Sequence, residues 1–277
     1  MVNFMYKTIL CDLDNTLLRH DKTVPEENLI AIKKAIDNGV SFILASGRSN
    51  MSLNVFNKQF GLNKKGNLCI AYNGGYIYEA DTLKPLSVHY ISPKISHKIL
   101  SICNKYKNEN CNPMLYKDNR LWVTKIDNRT ELYCKRSFLE PIIVDNLENI
   151  VSDKINKIFI LGENEVLNKI KNDADISNAS DFASYFFSND TILEFNPLNI
   201  DKGSALMEYA EIKNISCKEI IAIGDNYNDI SMIKHAGVGV AVANAVEPVL
   251  KVADYVTEAD CDSGAVAEVI NKYILQL

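Results

Sequence analysis

The chain has 277 residues, 30 of them basic and 35 acidic, for a net charge of −5. That balance argues against general attraction to nucleic acid or anionic membranes, and no apolar run nears the ~20 residues that a membrane-spanning helix needs. The length exceeds one small domain and points to two moderate ones.

Seven cysteines, at positions 11, 69, 103, 111, 134, 217 and 261, form an odd set without a C-x-x-C pair. They are expected to be free thiols, with neither a disulfide framework nor a zinc site. His20, His89, His97 and His235 are scattered without metal-ligand spacing. The amino terminus lacks the charged, apolar and small-residue regions of a signal peptide, so the expectation is a soluble cytoplasmic protein, a monomer or small homo-oligomer.

The first predicted strand covers 6–10 and runs directly into Cys11-Asp12-Leu13-Asp14-Asn15-Thr16-Leu17-Leu18. Thr23-Val24-Pro25-Glu26 reads as a capping box. The helix after it carries a stripe of Leu29, Ile30, Ile32, Lys33 and Ile36 read as its apolar face and stops at Asn38-Gly39. A second strand, Phe42-Ile43-Leu44-Ala45, completes a βαβ unit and precedes Ser46-Gly47-Arg48. A short strand at 68–72 and the turn Asn73-Gly74-Gly75 before Tyr76-Ile77-Tyr78 predict a hairpin.

From 84 to 191 the pattern changes. Strands at 121–123, 157–161 and 182–187 alternate with helical stretches and carry no motif cluster, as in an inserted α+β module. The first pattern then resumes. A helix near 204–212 follows Asp201-Lys202-Gly203-Ser204, and the strand Ile220-Ile221-Ala222-Ile223 ends in Gly224-Asp225-Asn226-Tyr227-Asn228-Asp229. A short helix at 230–235, a buried strand at 238–242 and a closing helix at 265–275 complete the chain. The expected organisation is a discontinuous α/β core of 1–83 and 192–277 with an insert of 84–191, the two crossings forming a hinge.

The polar clusters sit where an open parallel sheet binds ligands, beyond the carboxyl ends of its strands. Asp12 and Asp14, two positions apart, suit a nucleophile beside an acid/base; a polar strand exit is the plainer alternative. Cys11 should point away from Asp12 by strand alternation and serve packing. Ser46 and Gly47 offer a hydroxyl and an unobstructed amide to a phosphate, while Arg48 either reaches substrate or braces its loop. A lysine at a helix start opposes the helix dipole, which favours a functional Lys202 over a surface one. Asp225 and Asp229 either hold a metal or cap the following helix.

As a set, Asp-x-Asp, Ser, Lys and a second acidic pair resemble the four motifs of the haloacid dehalogenase-like (HAD) phosphatases. CDLDNTLL, ILASGR, AYNGG, DKGSAL and GDNYNDISM are most similar to the Cof-type sugar phosphatases, a likeness that continues into ADYVTEADCDSGAVAEVI. The resemblance implies a doubly wound, mainly parallel sheet of Rossmann-like HAD type with an inserted α+β cap that closes to exclude water. It implies a magnesium-dependent phosphatase acting on a small phosphorylated metabolite, with Asp12 as nucleophile forming an aspartyl-phosphate and Asp14 as acid/base. The Asp12 and Asp225 side chains and the Asp14 carbonyl would hold Mg²⁺, with Asp229 behind them holding ordered water. Ser46, Gly47, Lys202 and Asn228 would bind phosphate. Phosphotransfer by a mutase and a receiver-like signalling domain are the alternatives, and Asp14 together with the extra module weighs against the second. Two departures stand out: Asn15, where this subgroup usually has glycine although asparagine tolerates left-handed angles, and Val242-Ala243-Asn244-Ala245, which has alanine where the subgroup usually has glycine and so leaves the role of Asn244 open. Tyr116, Lys117, Arg120, Trp122, Tyr133 and Arg136 are candidates to face the site, with cap packing or surface the expected role of each.

Overall fold

The computed structural model describes residues 6–173 and 183–277. Strands in chain order are β1 (Thr8–Cys11), β2 (Ser41–Leu44), β3 (Leu68–Ala71), β4 (Tyr76–Glu79) and β5 (Pro85–Val88). They are followed by β6 (Asn112–Lys117), β7 (Arg120–Val123), β8 (Ile142–Ile143), β9 (Ile155–Leu161), β10 (Ala183–Asn189) and β11 (Ile192–Pro197). The last are β12 (Ile220–Gly224), β13 (Val238–Ala241) and β14 (Tyr255–Val256). Two compact units result: one comprises the chain up to Gly47, Phe56–Leu86 and Asp201–Leu277, the other Arg48–Val55 and Ser87–Ile200.

The first unit is built on a parallel sheet in the order β14-β13-β12-β1-β2. Every residue of β1, β12 and β13 is buried, as a sheet covered on both faces requires. Leu10, Ile43 and Ala222 pack with Ala205, Leu206 and Tyr209 of the helix Lys202–Lys213. From β1 the chain moves to β2 on one side, and later to β12 and β13 on the other. The strand order therefore reverses between β1 and β12, the place where open α/β sheets bind ligands. Register sets Cys11 beside Ile223, and the Asp12 amide donates to the Ile223 carbonyl at 2.9 Å. Asp12 and the loop after Gly224 thus leave the sheet side by side.

Local expectations fare unevenly. The hairpin holds, with Ala71 opposite Tyr76 across the Asn73-Gly74-Gly75 turn, and Asn38 ends the helix Glu26–Asp37 with Gly39 at φ +87°. The capping box does not. Pro25 occupies the N-cap without a side-chain bond, because the helix begins only at Glu26 and the Thr23 hydroxyl and amide both bond Asp21. The buried face of this helix is Asn28, Ala31, Ile32 and Ala35 rather than the proposed stripe, and Ile30 is exposed. Small residues pack there against Ala265–Ile270, where the Ala267 amide donates to Asn28.

The second unit has one mostly antiparallel sheet, ordered β10-β11-β9-β6-β7-β8. Leu115, Ile158, Ile160, Leu193 and Phe195 share a core with Ile95, Ile99, Leu100, Leu167 and Ile170 from the helices Pro93–Lys105 and Asn164–Asn172. Reading alone ended the insert at 191, whereas β11 pairs with β9 and β10 and carries this unit on to Ile200. Of the strand expected at 182–187, Phe182 lies outside the described residues. No helix among the described residues is long and apolar enough to cross a membrane.

One backbone approach ties the hairpin turn to the helix Lys202–Lys213. Gly74 has φ +108°, and a Cβ there would lie 2.2 Å from the Asp201 carbonyl oxygen. Gly66, at φ +82°, has open space around it. Gly74→Ala should therefore lower stability by about 3 kcal/mol or more, against about 1 kcal/mol for Gly66→Ala. Urea unfolding of the two variants checks the difference.

Candidate active site

Three chain segments meet at one buried ammonium. Lys202 begins its helix behind an Asp201–Ser204 capping box, and its Nζ lies 2.5 Å from Asp12 Oδ1 and 2.5 Å from Asp229 Oδ1. Its side chain is 0 % exposed and those of Asp12 and Asp229 are buried. Gly203 permits the approach, since a Cβ there would fall 2.7 Å from Ser231 Cβ, and its amide donates to the Ser231 hydroxyl. Asp229 Oδ2 accepts from the amides of Asp225 and Asn226 at 3.0 and 3.1 Å. Gly224 must be glycine for that turn, because a Cβ would lie 2.5 Å from Asp229 Cγ. Of the two alternatives in the sequence, a metal or a cap, Asp229 makes the capping contact through the Asn226 amide.

Asp225 accepts a hydrogen bond from the Thr16 hydroxyl at 2.7 Å, which joins the loop after β1 to the loop after β12. Carboxylate oxygens of Asp12, Asp225 and Asp229 lie within 4.8 Å of one another. Burial pushes the Asp12 carboxyl well up, opposed by Lys202 and reinforced by Asp229 and Asp225. Burial, then the Asp229 charge, pushes Asp225 up to about 7. Lys202 is held charged, since Asp12 and Asp229 outweigh the cost of its burial. One ammonium facing three carboxylates leaves a surplus of negative charge, and the donors are all hard oxygens. Such a set fits a magnesium-like cation. Both Asp229 oxygens already accept hydrogen bonds, so Asp12 and Asp225 are the carboxylates suited to direct contact.

A second set of contacts gathers the phosphate-binding candidates. Asn73, at φ +55°, donates its amide to the Ser46 carbonyl, and its Oδ1 accepts from Asn228 Nδ2 at 3.0 Å. A Cβ on Gly47 would lie 2.8 Å from the same oxygen. The sequence places Asn73 in a turn and in the AYNGG likeness but assigns it no role at the site. Asp14, half-buried, meets Lys22 Nζ at 3.0 Å; Lys22 was likewise missed. Asn15 has φ +59°, and its carbonyl accepts from Asn244 Nδ2, whose Oδ1 takes the Cys261 amide.

Cys11 is fully buried, with its thiol on the Asp12 carbonyl, as expected of a packing residue. Arg48 bonds Ser52 and the Arg136 carbonyl, the bracing alternative. In the second unit Tyr116 and Tyr133 share a hydroxyl contact, Lys117 donates to the Ile150 carbonyl and Trp122 to the Lys117 carbonyl. These are internal contacts of that unit.

The family model of the haloacid dehalogenase-like hydrolases matches residues 9–270. A 5-amino-6-(5-phospho-D-ribitylamino)uracil phosphatase of Bacillus subtilis is 28% identical over 271 residues, covering 97% of this chain and 96% of its own. The phosphoglycolate phosphatase of Methanosarcina acetivorans is 28% identical over 264 residues, covering 94% of each. A crystal structure of a haloacid dehalogenase-like hydrolase from Bacteroides thetaiotaomicron superposes with a TM-score of 0.87 at 27% identity, over 96% of this chain and 99% of that one.

The raised Asp225 carboxyl has a consequence for metal-free protein. Its ordinary value is 3.8 and its folded value about 7, so the native state holds the proton more tightly. That contribution is complete below the lower value and is lost as pH rises through the upper one. Asp12 shifts in the same direction. Melting in a chelator should thus show stability falling by a few kcal/mol between pH 4 and pH 8, and Asp225→Asn should flatten the slope.

Proposed function

Because this chain belongs to the haloacid dehalogenase-like hydrolases, we propose that it is a magnesium-dependent phosphatase of small phosphorylated metabolites, sugar phosphates foremost, acting through an aspartyl-phosphate on Asp12. It is a phosphoric monoester hydrolase. The observation that carries the finer reading is the buried Asp12 carboxylate, joined through Lys202 to the Asp225–Asp229 loop. A surface ion pair would not need three segments, two obligatory glycines and complete burial of a lysine.

In this reading an Asp12 oxygen forms a bond to phosphorus as the ester P–O bond breaks, and Asp14 gives its proton to the departing alcohol oxygen. Asp14, now ionised, takes a proton from a water whose oxygen attacks phosphorus and frees Asp12. One difficult displacement becomes two easier ones. Lys202 orients Asp12 and faces the transferring oxygens; the Ser46 hydroxyl, the Gly47 amide and Asn228 hold them. The Asp12 and Asp225 side chains and the Asp14 carbonyl are the groups suited to hold Mg²⁺. When bound, the ion supplies the positive charge that lets an anionic nucleophile approach a phosphate ester. Asp229 acts behind them by fixing Lys202 and the Asp225 amide. The second unit, expected from the sequence at 84–191 and carried on by β11 to Ile200, is the proposed cap and source of substrate selectivity on the core. The two named relatives differ in the rest of the molecule they act on, and what their names share is a phosphorylated compound.

Phosphate release from a panel of sugar phosphates with and without Mg²⁺ tests the reading, with activity expected only in its presence. Asp12→Asn should lose at least about 10³-fold in kcat while remaining folded; near-normal turnover would refute the assignment. Asp14→Asn should slow alkyl phosphates far more than p-nitrophenyl phosphate, whose leaving group needs no proton. Equal losses on both would remove Asp14 from the acid role.

A further inference from the structure

Although the histidines and cysteines show no metal-ligand spacing along the chain, the fold brings one of each together. His20 lies in the excursion after β1, and Cys261 and Asp262 lie in the loop before the closing helix. His20 Nδ1 is 2.8 Å from Asp262 Oδ2 and 3.6 Å from Cys261 Sγ. One ligand atom from each of the three residues falls within 4.8 Å of the others.

We propose that His20, Cys261 and Asp262 form a second metal site, distinct from the Asp12–Asp225 centre, for a thiophilic divalent cation of the zinc class. Zinc–sulfur and zinc–nitrogen bond lengths in a tetrahedral site put S and N about 3.5 Å apart, close to the observed 3.6 Å. The nitrogen–oxygen pair, now hydrogen-bonded, would open by about half an ångström to its tetrahedral spacing. Sulfur, imidazole and carboxylate form a borderline-soft donor set that selects zinc over magnesium, while the all-oxygen centre has the opposite preference.

The donors are held by further bonds within and around the cluster. The Cys261 amide donates to Asn244 Oδ1, the His20 amide to Asp262 Oδ1, and Arg19 Nε to the Asp262 carbonyl. Asp260 fixes the turn by accepting from the Asp262 amide and the Ser263 hydroxyl. The Cys261 side chain is buried, while His20 and Asp262 face solvent, so an ion can arrive from outside and meet the thiol behind them. Binding releases the Cys261 thiol proton to solvent and leaves a fourth position for water. Because Asn244 bonds the Asn15 carbonyl as well as Cys261, the ion would clamp the segment carrying Asp14 to the loop at 260–263.

Cobalt titration of the full chain, with Mg²⁺ in excess, tests the site. The expected result is a near-ultraviolet thiolate-to-cobalt charge-transfer band that saturates at one equivalent and is displaced by Zn²⁺. It should persist in Asp225→Asn, vanish in Cys261→Ser, and weaken at least about 10-fold in apparent affinity in His20→Ala and Asp262→Asn. Circular dichroism establishes that each variant is folded. Absence of the band from wild-type protein, its persistence in Cys261→Ser, or its loss in Asp225→Asn would overturn the proposal.

Discussion

A lysine ammonium with no solvent exposure is the constraint on which this molecule turns. Taking Lys202 out of water costs several kcal/mol, and such a charge persists only where its partners replace hydration. Asp12 and Asp229 do so, each 2.5 Å away, and Asp229 in turn holds the amides of Asp225 and Asn226. The end of β1, the start of the helix Lys202–Lys213 and the loop after β12 are thereby fixed against one another. Gly203 and Gly224 follow from the same requirement, because neither approach leaves room for a Cβ.

The electrostatic residue of that arrangement gives the site its chemistry. Burial, and then the surplus of carboxylates over the one ammonium, raises Asp12 and Asp225 above the usual carboxylate range, so the metal-free protein carries the tension as a tendency to take up protons. In the proposed reading a divalent cation would relieve it without protonating Asp12, the proposed nucleophile. On the proposed function the same loops link stability, metal affinity and phosphoryl chemistry, and a change at any one of them should disturb all three.

What sequence made legible was what a short window encodes. The apolar runs marked β1, β2 and β12, and the acids beside them gave Asp12, Asp225 and Asp229 their places, since a strand's end and the residue after it are adjacent by covalent connection. The Asn-Gly-Gly hairpin and the Asn38-Gly39 stop were legible for the same reason. Contacts made across the fold were hidden. Thr16 bonds Asp225 across 209 positions and Asn244 bonds Asn15 across 229, and no local pattern distinguishes a threonine or asparagine with such a duty. Thr23 illustrates the converse: its spacing to Glu26 fits a capping box, yet Asp21 captures it in a tighter local turn. Likewise β11 carries no mark of its sheet, because its partners β9 and β10 decide where it belongs. His20 and Cys261 met for the same reason, by the packing of two loops far apart in the chain.

A crystal structure of the protein with Mg²⁺ and beryllium fluoride tests the central claim most directly. The account predicts beryllium bonded to an Asp12 carboxylate oxygen, with the ion touching Asp12, Asp225 and the Asp14 carbonyl and Lys202 Nζ against the fluoride. Fluoride bound away from Asp12, or magnesium held without Asp225, would contradict it.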